Sequence, residues 1–371
     1  MKKAIHIISF DIPYPPTYGG IIDVYYKIKA LFDLGFEIHL HLFQYGRSEN
    51  KKLNQYCNKV YYYQRNTSFF KALSTLPYIV SSRANHNLVK NLIETEAPIL
   101  FEGLHCTFPL KRKELQSRLT LVRTHNIEHR YYANLARTEP NLIKKLHYNI
   151  EAIKLKWYEK VLNKCDHILT ISTTEGKYFA DKYKTPVFHV PAFHPNKKVA
   201  DLSKKGYFAL FHGNLKVSDN LKAAKFLIDT FKNFDYPLVI AGQTDDKTLM
   251  TLIDRYKNIN YIEIKKFHDL LELFQRAHVN ILYSYQPTGV KIKLLNSLYN
   301  SRYVISNKEA AAGSGLESLC QIANSKKEIQ QKVSQLILLD YSNEEISKRK
   351  KVLTQYNCLK NAEKIADLLG D

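Results

Sequence analysis

The chain has 371 residues, 45% of them hydrophobic, with 55 Lys and Arg against 35 Asp and Glu for a formal net charge of +20. This length favours two domains of ordinary size, and no apolar run is long enough to span a bilayer. The positive field suits acidic partners. Nucleic acid is not the expected one, because the lysines are scattered and no helix-turn-helix, zinc-finger or RNP signature is present.

The first residues, Met1 to Phe10, carry two lysines and then an apolar run. They read as a first buried strand, Ala4 to Phe10, rather than a signal peptide, because the run breaks at Asp11 and Pro13 with no small-residue cleavage site after it. Asp23 to Leu34 has helical spacing, with Val24, Ile28, Leu31 and Phe32 on one face, and Gly35 ends it. Further strands are expected at 36–43, 60–63, 99–101, 119–123 and 166–172, with a long helix over Leu142 to Asn163. Strands separated by helices make parallel βαβ units. Around 187–206 the pattern stops in Val190-Pro191-Ala192-Phe193-His194-Pro195 and a polar stretch, which reads as a linker over 188–205 between a first domain, 1–187, and a second, 206–341. The second half then restarts: strands at 207–211, 238–241, 260–264, 279–283 and 303–306 alternate with helices at 220–230, 248–256, 270–276 and 291–300. The segment from Ser342 to Leu369 reads as helical and basic.

Two places carry the chemistry. Phe211-His212-Gly213-Asn214-Leu215-Lys216 is a strand ending in a glycine turn. Gly289-Val290-Lys291-Ile292-Lys293 is a glycine turn opening a helix with lysines on its first turn. Both put backbone N–H groups and positive charge where a phosphate can sit. Two such loops in one α/β unit point to a nucleotide diphosphate. In the first half, His125, Asn126 and Glu128 follow the 119–123 strand, and Glu102 and His105 follow the 99–101 strand. Ligands bind outside the carboxyl ends of strands in open α/β sheets. No Asp-x-Asp triplet is present to hold a metal-bound diphosphate, so neither a metal nor a cofactor is expected. The five cysteines (57, 106, 165, 320, 358) form no CxxC pair, which speaks against zinc and for free thiols in a reducing cytoplasm.

The chain resembles the GT-B glycosyltransferases, two Rossmann-like domains facing each other across a cleft, and within them the retaining family 4 group. The resemblance rests on Tyr18-Gly19-Gly20, on Arg123-Thr124-His125-Asn126-Ile127-Glu128, and on Trp157-Tyr158-Glu159 through Asp166 to Ser172. In the second half it rests on His212-Gly213-Asn214, on Val239-Ile240-Ala241-Gly242, and on Gly289 to Asn296 with Val304-Ile305-Ser306. Where the family carries two glutamates eight positions apart, this chain has Thr288 and Asn296; Ser301 and Tyr303 stand where it often has Gly and Pro.

The resemblance implies transfer of a sugar from a nucleotide-sugar donor to a hydroxyl on a glycan or lipid-linked acceptor, with retention. The setting would be cell-envelope or surface glycan synthesis at the cytoplasmic face, with peripheral contact to an anionic membrane. It assigns Gly19, Gly20, Gly213, Asn214, Gly242, Thr288, Gly289, Val290 and Asn296 to the donor and Asn126 and Glu128 to the acceptor side, where Glu102 and His105 are expected to join them by their place after the 99–101 strand. His125, Lys293 and Lys216 become the catalytic candidates, the lysines stabilising charge on the departing diphosphate. It also implies that the terminal helical segment, 342–371, returns to the first domain. The alternatives are a non-catalytic nucleotide-sugar-binding subunit and a sugar-nucleotide epimerase on the same scaffold.

Overall fold

The computed structural model describes residues 3–202 and 204–370, apart from the side chains of Phe69 and Ala72. Met1 and Lys2 of the proposed first segment and Ser203 of the proposed linker lie outside the described residues. The chain forms two compact units. One holds the chain up to Pro195 together with everything from Gln355 onward, and the other is Asn196–Thr354.

The sheet of the first unit contains β1 (Ala4–Ser9), β2 (Glu37–Gln44), β3 (Lys59–Gln64), β4 (Ile99–Glu102), β5 (Thr120–Thr124), β6 (His167–Thr170) and β7 (Val187–His189), in the order β3-β2-β1-β4-β5-β6-β7. All pairings are parallel. Both faces are covered, so the central strands are rich in apolar residues, although β2 alternates Ile38, Leu40 and Leu42 with His39 and His41. Side chains of a strand alternate in direction: Ile7, Leu100, Leu121 and Leu169 join one core, while Ile8, Phe101, Val122 and Ile168 join the other. The longer helices here are α1 (Gly19–Asp33), α2 (His86–Ile93), α3 (Glu128–Thr138), α4 (Leu142–Tyr158) and α5 (Thr173–Lys182).

The second unit has β8 (Ala209–Asn214), β9 (Leu238–Gln243), β10 (Ile259–Glu263), β11 (Val279–Leu282), β12 (Tyr303–Ser306) and β13 (Gln321–Ile322), ordered β10-β9-β8-β11-β12-β13. Its longer helices are α6 (Ser218–Phe231), α7 (Lys247–Ile253), α8 (Phe267–Arg276), α9 (Ile292–Asn300), α10 (Lys326–Leu336) and α11 (Asn343–Leu353). A last helix, α12 (Cys358–Leu368), belongs to the first unit. Each sheet therefore runs outward in one direction from its first strand and then reverses. The reversal lies between β1 and β4 in one unit and between β8 and β11 in the other. Such switch points open a crevice at the carboxyl ends of the strands.

Several elements differ from the expectation. The first helix begins at Gly19, four residues before Asp23. The expected long helix stops at Tyr158, and Glu159–Lys164 tightens to a 3₁₀ turn. There the Glu159 carboxylate is buried and accepts hydrogen bonds from Tyr178, Tyr183 and Lys182, with His129 Nδ1 3.0 Å from its other oxygen. Val187–His189 is not loop: it pairs with β6 as the seventh strand. The terminal segment is helical as expected, in two pieces. It breaks at Thr354–Asn357, where the Asn357 side chain accepts from the Lys360 N–H and starts α12 afresh. Among the described residues, no helix is long and apolar enough to cross a membrane.

Candidate functional site

In the second unit the switch point is built by the loops after β8 and β11. Gly242, at the end of β9, leaves no room for a side chain: a Cβ there would lie 2.0 Å from the Gly213 carbonyl oxygen. Gly213 in turn packs against Asn220, 3.1 Å from where its Cβ would stand. These two glycines let backbone approach backbone at the carboxyl ends of two neighbouring interior strands. Gly289 has φ of +69°, the left-handed conformation that glycine adopts without penalty, and it turns the chain into α9.

Lys293, on the first turn of α9, donates to Asn220 Oδ1 at 3.1 Å, and Asn220 donates onward to the Asn214 carbonyl at 2.9 Å. The structure thus brings Lys293, Asn220, Asn214 and Gly213 together. Burial pulls the Lys293 ammonium down to about 8, while the Asp219 carboxylate works in the opposite direction. Asp219 is the tie that sequence reasoning missed. From the first turn of α6 it accepts Ser284 Oγ at 2.8 Å and the Tyr285 N–H at 2.9 Å, so it fastens the loop after β11 to the helix after β8. Behind Lys293 lies a buried polar cluster: His212 Nε2 is 3.3 Å from Ser297 Oγ, which donates to the Lys293 carbonyl at 2.7 Å. Burial, with Lys293 nearby, lowers His212 to about 3, so this ring is neutral.

The remaining donor-side candidates divide. Thr288 and Gly289 offer their carbonyls to the Lys291 ammonium, and Thr288 Oγ1 is buried without a hydrogen-bond partner. Val290 is partly exposed on the same turn. Lys216 is half exposed, and its ammonium pairs with Asp245 at 2.7 Å. Asn296 is drawn elsewhere: its Oδ1 accepts from Asn196, whose own Oδ1 accepts from Asn300, a run of amides along α9.

In the first unit, the loops after β1, β4 and β5 meet around Phe10. Its ring lies 5.2 Å from that of His105 and 5.5 Å from that of His125, centroid to centroid. Gly20 packs tightly beside it: a Cβ would stand 2.8 Å from Phe10 Cζ and push that ring aside. Gly19 opens α1, and Tyr18 before it donates to Asp11 Oδ2 at 2.8 Å. The Nε2 of His125 lies 3.0 Å from Glu102 Oε2. His105 is held well below its ordinary value by burial and by Arg83. Glu128 is buried on the first turn of α3, and burial together with Glu175 pushes its carboxyl up to about 8, against a hydrogen bond from Asn126.

Beneath these groups runs an ion network that the sequence reading did not assign. Lys27 lies 2.9 Å from Asp23 Oδ2 and 2.7 Å from Glu102 Oε1. Arg123 grips both Asp23 oxygens, at 2.7 and 2.8 Å, and donates to the carbonyls of Val190 and Pro191. The Phe193 N–H completes the shell of Asp23 at 2.8 Å. Burial opposes ionisation of both carboxylates, yet Arg123 and Lys27 hold Asp23 well below its usual range, and Lys27 with His125 lowers Glu102. The signal was present: Asp23 and Lys27 sit four apart on a helix face otherwise made of Val24, Ile28 and Leu31, where unpaired charge is not tolerated. Asp23, Glu102 and His125 are also the one group among the described residues whose ligand atoms lie close enough to hold a metal ion. They do not fit one, because the Lys27 ammonium already bridges the two carboxylates and Arg123 takes both oxygens of Asp23.

Known proteins bear on this geometry. Anabaena HepE, solved in complex with UDP-glucose, superposes with a TM-score of 0.66 over 99% of both chains at 12% identity. WaaG, a glycosyltransferase involved in lipopolysaccharide biosynthesis, gives 0.63 over 99% of both chains at 12% identity. The fold is GT-B. In this GT-B chain the strand order of each unit, reversing after its third strand, is that of nucleotide-binding sheets. Among curated sequences, an uncharacterised 44.6 kDa protein of the cps region of Klebsiella pneumoniae is 28% identical over 338 residues, 85% of each chain. No family model matches the sequence.

Proposed function

We propose that the protein is a glycosyltransferase that moves a sugar from a nucleotide-diphosphate sugar to a hydroxyl acceptor, with retention and without a metal ion. The observation that carries this reading is Lys293, a partly desolvated ammonium beside a left-handed glycine turn at a sheet's switch point. Breaking a sugar–phosphate bond develops charge on the departing diphosphate. A preorganised ammonium and the N–H groups of two helix starts, α6 and α9, stabilise that charge more than they stabilise the ground state. The GT-B fold and the UDP-glucose found in HepE support the donor class. The cps-region relative and WaaG support a place in cell-envelope or surface glycan synthesis. The proposal extends to a glycan or lipid-linked acceptor and, from the net charge of +20, to peripheral contact with an anionic membrane at its cytoplasmic face. On the first unit, His125 with Glu102, next to Phe10, Gly20 and His105, is the proposed face for the transferred sugar and acceptor.

A second reading, a nucleotide-sugar-binding subunit without turnover, is favoured by one observation. Asn296 stands where the family has a glutamate, and its amide is engaged by Asn196. Incubating the purified protein with UDP-glucose and other nucleotide sugars tests both. A raised melting temperature with slow release of free sugar and UDP supports the transferase. Stabilisation with no hydrolysis or transfer by the pure protein supports the binding subunit. Absence of any thermal shift across UDP, GDP and TDP sugars overturns both.

A further inference from the structure

Helix α4 carries two faces. Glu151, Leu155 and Tyr158 are buried against the first unit. On the opposite side Leu142, Ile143, Leu146, Ile150, Ile153 and Trp157 are all exposed, Ile143 at 81% and Trp157 at 67%. At about 100° per residue these six side chains fall within an arc of about 100°. They form one continuous apolar stripe about 22 Å long on the solvent side of a helix that is otherwise well anchored. The anchoring is firm: α3 packs antiparallel along α4, Tyr132 meets Tyr148 with ring centroids 6.0 Å apart, and Glu151 accepts from the Tyr78 N–H. An exposed contiguous apolar face on a soluble-side helix marks an interaction surface.

Charge decides what covers it. Lys145 and Lys156 flank the stripe on one side and are exposed, and Lys160 follows it, its ammonium 4.8 Å over the Trp157 ring. The acidic residue within the helix, Glu151, is buried and paired with Lys154. A second copy of this chain would bring lysine against lysine, at a net charge of +20 each. An anionic bilayer satisfies both parts: the stripe enters the headgroup–acyl boundary while the lysines meet lipid phosphates. A tryptophan at the end of an apolar stripe suits that boundary.

We propose that α4 is an interfacial membrane-binding helix that seats the first unit on an anionic lipid surface, apolar stripe inward. This inference rests on the membrane contact proposed above and names the element that makes it; its test needs no donor and no turnover, so its failure is distinguishable from failure of the transferase reading.

Trp157 is the chain's single tryptophan, so its fluorescence reports this position alone. Full-length protein is mixed with vesicles of phosphatidylcholine, with or without phosphatidylglycerol. Co-sedimentation is expected only with the anionic vesicles. Trp157 emission is expected to shift to the blue and to be quenched by brominated acyl chains. The double variant Ile150→Asp, Ile153→Asp changes only exposed positions and is expected to keep its melting temperature while losing vesicle binding by roughly tenfold or more. Three results would overturn the proposal: no sedimentation at low salt, sedimentation with Trp157 unshifted and the double variant unaffected, or a dimer in solution that the double variant converts to monomer.

Discussion

Lys293 is asked to do opposite things by folding and by binding. Its ordinary ammonium value is 10.5, and burial brings it to about 8 in the fold. Between those values the unfolded chain binds more protons, so this residue's contribution to stability rises as pH climbs from about 8 to about 10.5. Affinity for a diphosphate needs the charged form and falls over the same window. Melting curves with and without UDP, taken from about pH 7 to about pH 10, are expected to converge as the ligand-induced shift fades above about pH 8. Lys293→Ala is expected to lower kcat on the order of a hundredfold, about 3 kcal/mol of transition-state stabilisation, with a smaller change in KM; an unchanged kcat would remove its role. Glu128 has the reverse sign. Its folded value of about 8 exceeds the ordinary 4.5, so its contribution to stability is complete below about pH 4.5 and is lost as pH rises through about 8. Glu128→Gln is expected to flatten the decline in melting temperature between about pH 6 and about pH 8. The Asp23–Lys27–Glu102–Arg123 network satisfies its own charges, so EDTA is expected to leave both the melting temperature and turnover unchanged. Loss of activity restored by added Mn²⁺ or Mg²⁺ would show a metal elsewhere.

At the scale of elements, what the sequence exposes depends on how far apart the partners lie. Strands β1 and β8 are legible because each is an apolar run closed by a proline or glycine turn. The two phosphate-loop candidates are legible because glycine and lysine sit together in a few residues. Strand β7 is not: it is three residues long, none of them buried, and it pairs on one side only, so nothing in its composition separates it from loop. Helix α3 is hidden by a polar, tyrosine-rich face that only its packing on α4 explains. The ion network is half legible, since Asp23 and Lys27 betray themselves on an apolar face while Arg123 comes from 100 residues away. Asp219 is unreadable in the same way, because its partners Ser284 and Tyr285 are brought by the sheet order. Asn296 could be aligned with a family position, yet its amide partner Asn196 comes from before the sheet begins. Helix α12 shows how packing decides membership: Ala362, Ile365 and Ala366 join the core of Val24, Ile28 and Leu31 on α1. Ile365 is fully buried, and Ile365→Ala is expected to destabilise the first unit by about 2–5 kcal/mol. Denaturant unfolding with an unchanged midpoint would mean that α12 adds nothing to that core.

For the whole molecule, the division into units has a direct test. Asn196–Thr354 contains a complete six-stranded sheet and its covering helices. Arg349, fully buried, donates from α11 to the carbonyls of Leu298, Ser301 and Arg302 and so closes the open end of α9 within the same unit. A fragment spanning Asn196–Thr354 is expected to melt cooperatively on its own and to be stabilised by UDP through Lys293 and the loops around it. A fragment that remains unfolded would show that the unit depends on the rest of the chain.

The chain passes from the first unit to the second at Pro195 and back at Thr354, so one unit is inserted within the other. On the ribosome this imposes an order. Helix α1 emerges early, but the side chains that pack against it from α12 are made only after the whole inserted unit. At about 5–20 residues per second the gap is tens of seconds. For most of that interval the inserted unit is not yet complete, and the unit that holds α1 waits with an uncovered apolar face. The amino-terminal half of the nascent chain is therefore expected to bind chaperones until α12 closes over α1.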